Sequence, residues 1–154
     1  MANPHWKLEI PKFLNLKFRE PSVHGVAGMS AYASRADELQ KRLVSFAAKI
    51  VDISAQLPRT AQGRHISIQI LRSGTSTAAN YGEARGAESR SDFIHKLRIV
   101  LKELNETAVW LQLLAECSLI SADKIIAIVA ENQELCRIIA ASVRTARGSE
   151  QMRD

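Results

Sequence analysis

Between residues 64 and 102 the chain places seven cations, Arg64, Arg72, Arg85, Arg90, Lys96, Arg98 and Lys102, against three acids, Glu83, Glu88 and Asp92. That excess is most of the chain's net charge of +5. Guanidinium and ammonium groups at this density are the chemistry of a phosphate-contacting surface. The expected contacts are Arg64, Arg72, Arg85, Arg90, Lys96 and Arg98, with a concentration at the turn from Arg85 to Arg90. A solvated helix end has the same composition. No alternation of cations with aromatic residues supplies base stacking, so any nucleic acid, RNA or DNA, would be held by its backbone and not by its sequence.

Carboxylates offer a second chemistry. Glu103 and Glu106 stand three apart beside Leu104, Lys96, Arg98 and Lys102 are on the same stretch, and Arg72 belongs to the segment expected to pack against it. The set reads either as an anion site or as a hydrogen-bonded network between two helices, and paired charges beside an apolar seam favour the network. Other chemistries lack their residues. No Glu-x-x-His pair suits a di-iron bundle, no Cys-x-x-Cys-His attaches haem, and no glycine-rich phosphate loop is present. Gly74-Thr75-Ser76-Thr77 lacks both the Gly-x-Ser-x-Gly spacing and the preceding strand of a nucleophile elbow. The expectation is a non-enzymatic chain with no catalytic residues, no metal site and no cofactor.

The elements that carry these residues are helices. With 154 residues and 46% hydrophobic content the chain can form one cored domain. Leu39, Leu43, Phe46, Ile50, Ile53 and Leu57 step by four and three, the spacing of a bundle seam, and predict a first helix over 34–57 that Pro58 ends. Thr60 caps a second over 61–82. Its run Ser73 to Asn80 is small and helix-poor, and fits a helix only where another backbone approaches closely. A glycine turn over 82–89 follows, with Gly82 and Gly86 available for positive φ. Ser89-Arg90-Ser91-Asp92 resembles a capping box that opens a third helix over 91–117 along Ile94, Leu97, Leu101, Leu104, Ala108, Leu111 and Ala115. Ser121 starts a fourth, to Arg147, along Ile125, Val129, Asn132, Cys136, Ile139 and Val143. These make an all-α, antiparallel, up-down-up-down four-helix bundle over 34–147. Residues 1–33, with three of the four prolines, read as an irregular or partly disordered extension, and 148–154 as a frayed tail. Apolar residues beyond the seams of the third and fourth helices predict self-association.

Three segments together resemble a known family: Ser76-x-x-x-Asn80-Tyr81-x-Glu83-Ala84, Ser89-x-x-Asp92-Phe93-Ile94-x-Lys96-Leu97, and Lys102-Glu103-x-x-Glu106-Thr107-x-x-Trp110-Leu111. They resemble the four-helix-bundle proteins named after reading frames in intervening sequences of bacterial 23S ribosomal RNA genes. Ser76, Asn80, Glu83, Lys102, Glu103 and Glu106 are its structural motif. The resemblance covers roughly residues 39–143 and implies a left-handed bundle assembled as a homopentameric ring with a central channel. It is also similar in fold to the accessory protein of diversity-generating retroelements, a basic pentamer. That likeness implies nucleic acid and a reverse transcriptase as partners, and implies no enzyme. An accessory module acting through phosphate contacts is one expectation; a structural or protein-interaction ring is the other.

Cys117 and Cys136 are too far apart along antiparallel helices to bond, and two buried free thiols fit a reducing cytoplasm. No run approaches the roughly 20 apolar residues of a membrane span.

Overall fold

The computed structural model describes residues 26–148, with side chains from residue 35. It is an antiparallel four-helix bundle of α1 (Val26–Gln56), α2 (Ala61–Arg85), α3 (Arg90–Glu116) and α4 (Ala122–Gly148). Each helix packs on its neighbour in sequence, and α4 returns to α1. The apolar residues of 1–25 and the tail 149–154 lie outside the described residues.

The α1 seam is buried as its spacing predicts: Leu39, Leu43, Phe46, Ile50, Ile53 and Leu57 are all in the core. The helix starts earlier than the predicted residue 34. Residues 26–33, assigned above to the extension, are helical, since no proline stands after Pro21 to stop the helix from growing back. Thr60 caps α2, its hydroxyl accepting from Gly63 N at 3.1 Å. Ser89 caps α3, accepting from Asp92 N at 3.1 Å.

The small stretch of α2 stays helical for the geometric reason its composition suggests. Ser73, Gly74 and Thr77 are buried, while Ser76, Ala78 and Asn80 are half-buried on the flanks. A Cβ on Gly74 would lie 2.6 Å from Ile50 Cγ2, so α1 and α2 approach here as closely as a hydrogen atom allows. On the other side Thr107 Oγ1 of α3 lies 2.9 Å from Ser73 Oγ and 2.8 Å from the Glu103 carbonyl oxygen. The Thr107 proton satisfies one contact and the Ser73 hydroxyl can supply the other.

Three expectations need correction. The α2–α3 turn is shorter than 82–89, because α2 continues to Arg85; Gly82 is helical and Gly86 has φ −86°. The left-handed residue among the described non-glycines is Ser118, φ 51°, in the α3–α4 turn. The α3 seam is Ile94, Leu97, Val100, Leu104, Thr107, Leu111 and Leu114, so Leu101, Ala108 and Ala115 yield to the residues one step before them. The small residues of α2 let it come close, and the buried face of α3 turns toward it.

Gly74→Ala should destabilise the bundle by about 1–3 kcal/mol through overpacking against Ile50. In an Ile50→Ala background the same change should cost much less, since the two γ carbons are gone and only the Cβ contact at 3.0 Å remains. Denaturant unfolding of the four proteins of this cycle tests the contact, and equal costs in both backgrounds would refute it.

Candidate functional site

The polar residues grouped by the sequence are held on α2, α3 and the turn between them, and most bond one another. Arg72 Nη2 reaches Glu106 Oε1 at 2.5 Å across α2–α3, and Trp110 Nε1 lies 3.5 Å from the same oxygen. About three turns along, Lys96 Nζ of α3 meets Glu83 Oε2 of α2 at 2.5 Å. The hydrogen bond to Glu83 holds the Lys96 ammonium above its ordinary pKa. Asn80 Nδ2 donates to the Ser76 carbonyl at 2.9 Å, and Glu103 is half-buried with Oε2 enclosed and lacking a hydrogen-bond partner. Of the motif residues, Glu83 and Glu106 bond across the α2–α3 seam, Ser76 and Asn80 bond each other within α2, and Lys102 is exposed on α3.

The basic residues do not form the patch their sequence spacing suggests. Arg64 is in the first turn of α2 and donates to the Arg59 carbonyl; Arg85 ends the same helix, about 32 Å away at 1.5 Å per residue. At that far end Arg85 Nη2 pairs with Asp37 Oδ1 of α1 at 2.5 Å. Arg90 is half-buried, and its Nε and Nη2 both donate to the Ala146 carbonyl of α4, the former at 2.6 Å. A cation on the last carbonyls of a helix complements its dipole. Of the six predicted contacts, only Arg98 is exposed with no hydrogen-bond or ion-pair partner among the described residues.

Sequence reasoning missed two features. Arg42 and Glu131 form a fork between α1 and α4, Nε to Oε1 at 2.7 Å and Nη2 to Oε2 at 2.9 Å; the hydrogen bond to Glu131 raises the Arg42 pKa. They are 89 residues apart, and no local signal couples them. The second is the partner of Asn132, a residue placed in the α4 seam by its spacing and fully enclosed there: its Nδ2 donates to the Leu104 carbonyl at 3.2 Å. Cys117 is exposed and Cys136 half-buried, so the expectation of two buried thiols fails at Cys117, which caps the C-terminus of α3 beyond the core. Burial pushes the Cys136 thiol pKa up. Among the described residues no group of three or more His, Cys, Asp or Glu is placed to hold a metal ion. No helix there is long and apolar enough to cross a membrane.

Two measurements follow from this geometry. Arg90→Ala should cost about 1–2 kcal/mol, because the Ala146 carbonyl loses charged donors. Arg85→Ala, at an exposed pair, should cost less than about 1 kcal/mol. Equal losses in thermal or denaturant unfolding would show that the two arginines play the same part. Tyr81, buried beside Arg85 and Asp37, has a pKa raised from 10.0 to about 12, mainly by desolvation. Above pH 10 the unfolded chain releases a proton that the folded one keeps, so this contribution to stability is full below pH 10 and is lost as pH rises through about 12. Tyr81→Phe should flatten that alkaline loss, and an unchanged pH profile would refute the assignment.

Comparison with known proteins agrees with this arrangement. No curated protein matches the chain. A solved structure from Bacteroides thetaiotaomicron, described as a protein of unknown function from the S23 ribosomal protein family, is 37% identical. It superposes with a TM-score of 0.66 over 71% of this chain and 97% of its own. The model of the 23S rRNA-intervening sequence protein family matches residues 36–141, from α1 through most of α4. The chain belongs to the 23S rRNA-intervening sequence protein family.

Proposed function

We propose that this chain is a non-enzymatic, self-associating interaction module, and that α1 and α2 supply its contact face. The observation that carries this reading is an uncharged apolar strip along those two helices. Val44 and Val51 are 52% and 44% exposed; with the exposed Ala48 and Ala55 they step by four, three and four along one flank of α1. Ile68 and Leu71, 63% and 37% exposed, stand beside them on α2. The level of the two rows is fixed by Ser67 Oγ donating to the Ser54 carbonyl at 3.0 Å and Gln40 Nε2 to the Ala78 carbonyl at 3.2 Å. A contiguous apolar strip of this kind marks a contact surface.

The face differs from the one predicted. Val100, Leu114, Ile128, Leu135 and Ile138, read from sequence as surplus apolar residues on α3 and α4, are core residues. Val109, Leu113 and Ile126 are what those helices leave exposed. Two unlike apolar faces on one chain suit a head-to-tail contact, which closes into a ring when the rotation permits; five subunits is the number the family resemblance supplies. The phosphate-contacting module is the second reading. The net charge of +5 favours it, but the engagement of Arg72, Arg85, Arg90 and Lys96 within the bundle weighs against it at those residues.

Light scattering after gel filtration at micromolar concentration should give a mass of several chains for the parent. Val51→Glu with Leu71→Glu should reduce it to one chain without loss of helical circular dichroism. A monomeric parent would refute self-association, and a variant that still assembles would refute this face.

A further inference from the structure

The interhelical pairs divide the charge of α3 unevenly. Glu106 is drawn to Arg72 on the α2 side. No acid at all occurs between Phe93 and Lys102 of α3 or between Leu135 and Gly148 of α4. These two half-helices are antiparallel neighbours: Arg90 binds the Ala146 carbonyl, Asn105 Oδ1 lies 3.7 Å from Cys136 Sγ, and Asn132 binds the Leu104 carbonyl. The two segments together hold Lys96, Arg98, Lys102, Arg137, Arg144 and Arg147 with no acid within either, and of these Lys96 is turned toward α2. Lys96 is engaged by Glu83 and Arg137 by Glu134. Arg98, Lys102, Arg144 and Arg147 are exposed, and none has a hydrogen-bond or ion-pair partner among the described residues. The α4 dipole accounts for a cation at Arg147; it does not account for Arg98 and Lys102, one turn apart in the middle of α3.

We propose that this α3–α4 flank, through Arg98, Lys102, Arg144 and Arg147, binds the phosphate backbone of a polynucleotide. Three of the four cations are arginines, whose planar forks match phosphate oxygens. Asn105 and Gln133, exposed beside them, add neutral donors. The level of Ser91 to that of Lys102 spans about 17 Å of helix at 1.5 Å per residue, a length over which duplex backbone presents about ten charges. The seven exposed large apolar residues all lie outside these two segments. An anionic membrane would need such residues to insert, and a protein partner would need them as anchors. Binding at this flank needs one subunit and does not rest on self-association.

The test is fluorescence anisotropy with labelled mixed-sequence RNA and DNA, single-stranded and duplex, across a salt series from 50 mM. The parent should bind with little sequence preference and a log–log salt slope of about −3.6 on duplex and about −2.8 on single strands for four phosphate contacts. Arg98→Glu with Lys102→Glu, and separately Arg144→Glu with Arg147→Glu, should each weaken binding at least tenfold at 50 mM salt. Circular dichroism should show both folded, and Gln in place of Glu should give the same order of loss if one pair is not. Lys41→Glu with Lys49→Glu, exposed on α1, makes the same charge change elsewhere and should cost less than threefold. No binding by the parent, or unchanged binding by both pairs, would overturn the proposal. So would equal loss in the α1 control, which would mean net charge alone, or tighter binding to phosphatidylserine vesicles with the same dependence on these residues.

Discussion

Position 74 admits no side chain, and the arrangement of the bundle depends on that. With Ile50 where a Cβ would stand, α2 lies against α1 more closely than branched residues on both helices permit. The neighbours of Gly74 extend the effect. Ser73 and Thr77 are wholly enclosed, and Thr77 Oγ1 donates to the Gly74 carbonyl at 2.7 Å, so its hydroxyl is buried without being orphaned. These residues are poor helix formers alone. Here the helix is stabilised by the two surfaces it separates, as most helices in proteins are.

Close approach on one side of α2 sets the polar chemistry on the other. Once α3 is near enough for Thr107 to meet Ser73, Glu106 comes within reach of Arg72 and Lys96 within reach of Glu83. Partly exposed pairs of this kind contribute little stability; spaced along one seam, they select a single axial register, since a slip of one turn would part them. The same register draws Glu106 and Lys96 to the α2 side and leaves Arg98 and Lys102 without a partner among the described residues. The acid-free runs are visible in the sequence; which of their cations stay unpaired is a consequence of packing.

That dependence explains what the sequence could and could not disclose. The α1 seam was readable because its apolar residues are large, regularly spaced and flanked by polar ones. The caps Thr60 and Ser89 were readable because a cap acts within three residues. The α3 seam was misplaced at Leu101, Ala108 and Ala115, since Leu97 and Leu104 accept a neighbour on either side and only the proximity of α2 decides between them. Arg85 and Arg90 looked like a ligand surface because their partners, Asp37 and Ala146, are 48 and 56 residues away. Basic charge was visible in the sequence; whether each charge was already answered was not.

Three of the four helix contacts join neighbours in sequence, so each forms as a helical hairpin with a short loop to close. The contact of α1 with α4 is different. It joins the two ends of the chain, and its strongest tie is polar, the Arg42–Glu131 fork with Lys124 Nζ to Gln56 Oε1 at 2.5 Å farther along. An apolar ridge would close the same gap without choosing a register, because hydrophobic contact is non-directional. A planar guanidinium meeting a carboxylate with two bonds is satisfied in one alignment only. The fork is partly shielded from water, with 31% and 24% of the two side chains exposed, so a misaligned closure would leave both charges desolvated and unpaired. The contact that joins the two ends of the chain is thereby the one whose chemistry discriminates most sharply between right and wrong alignment.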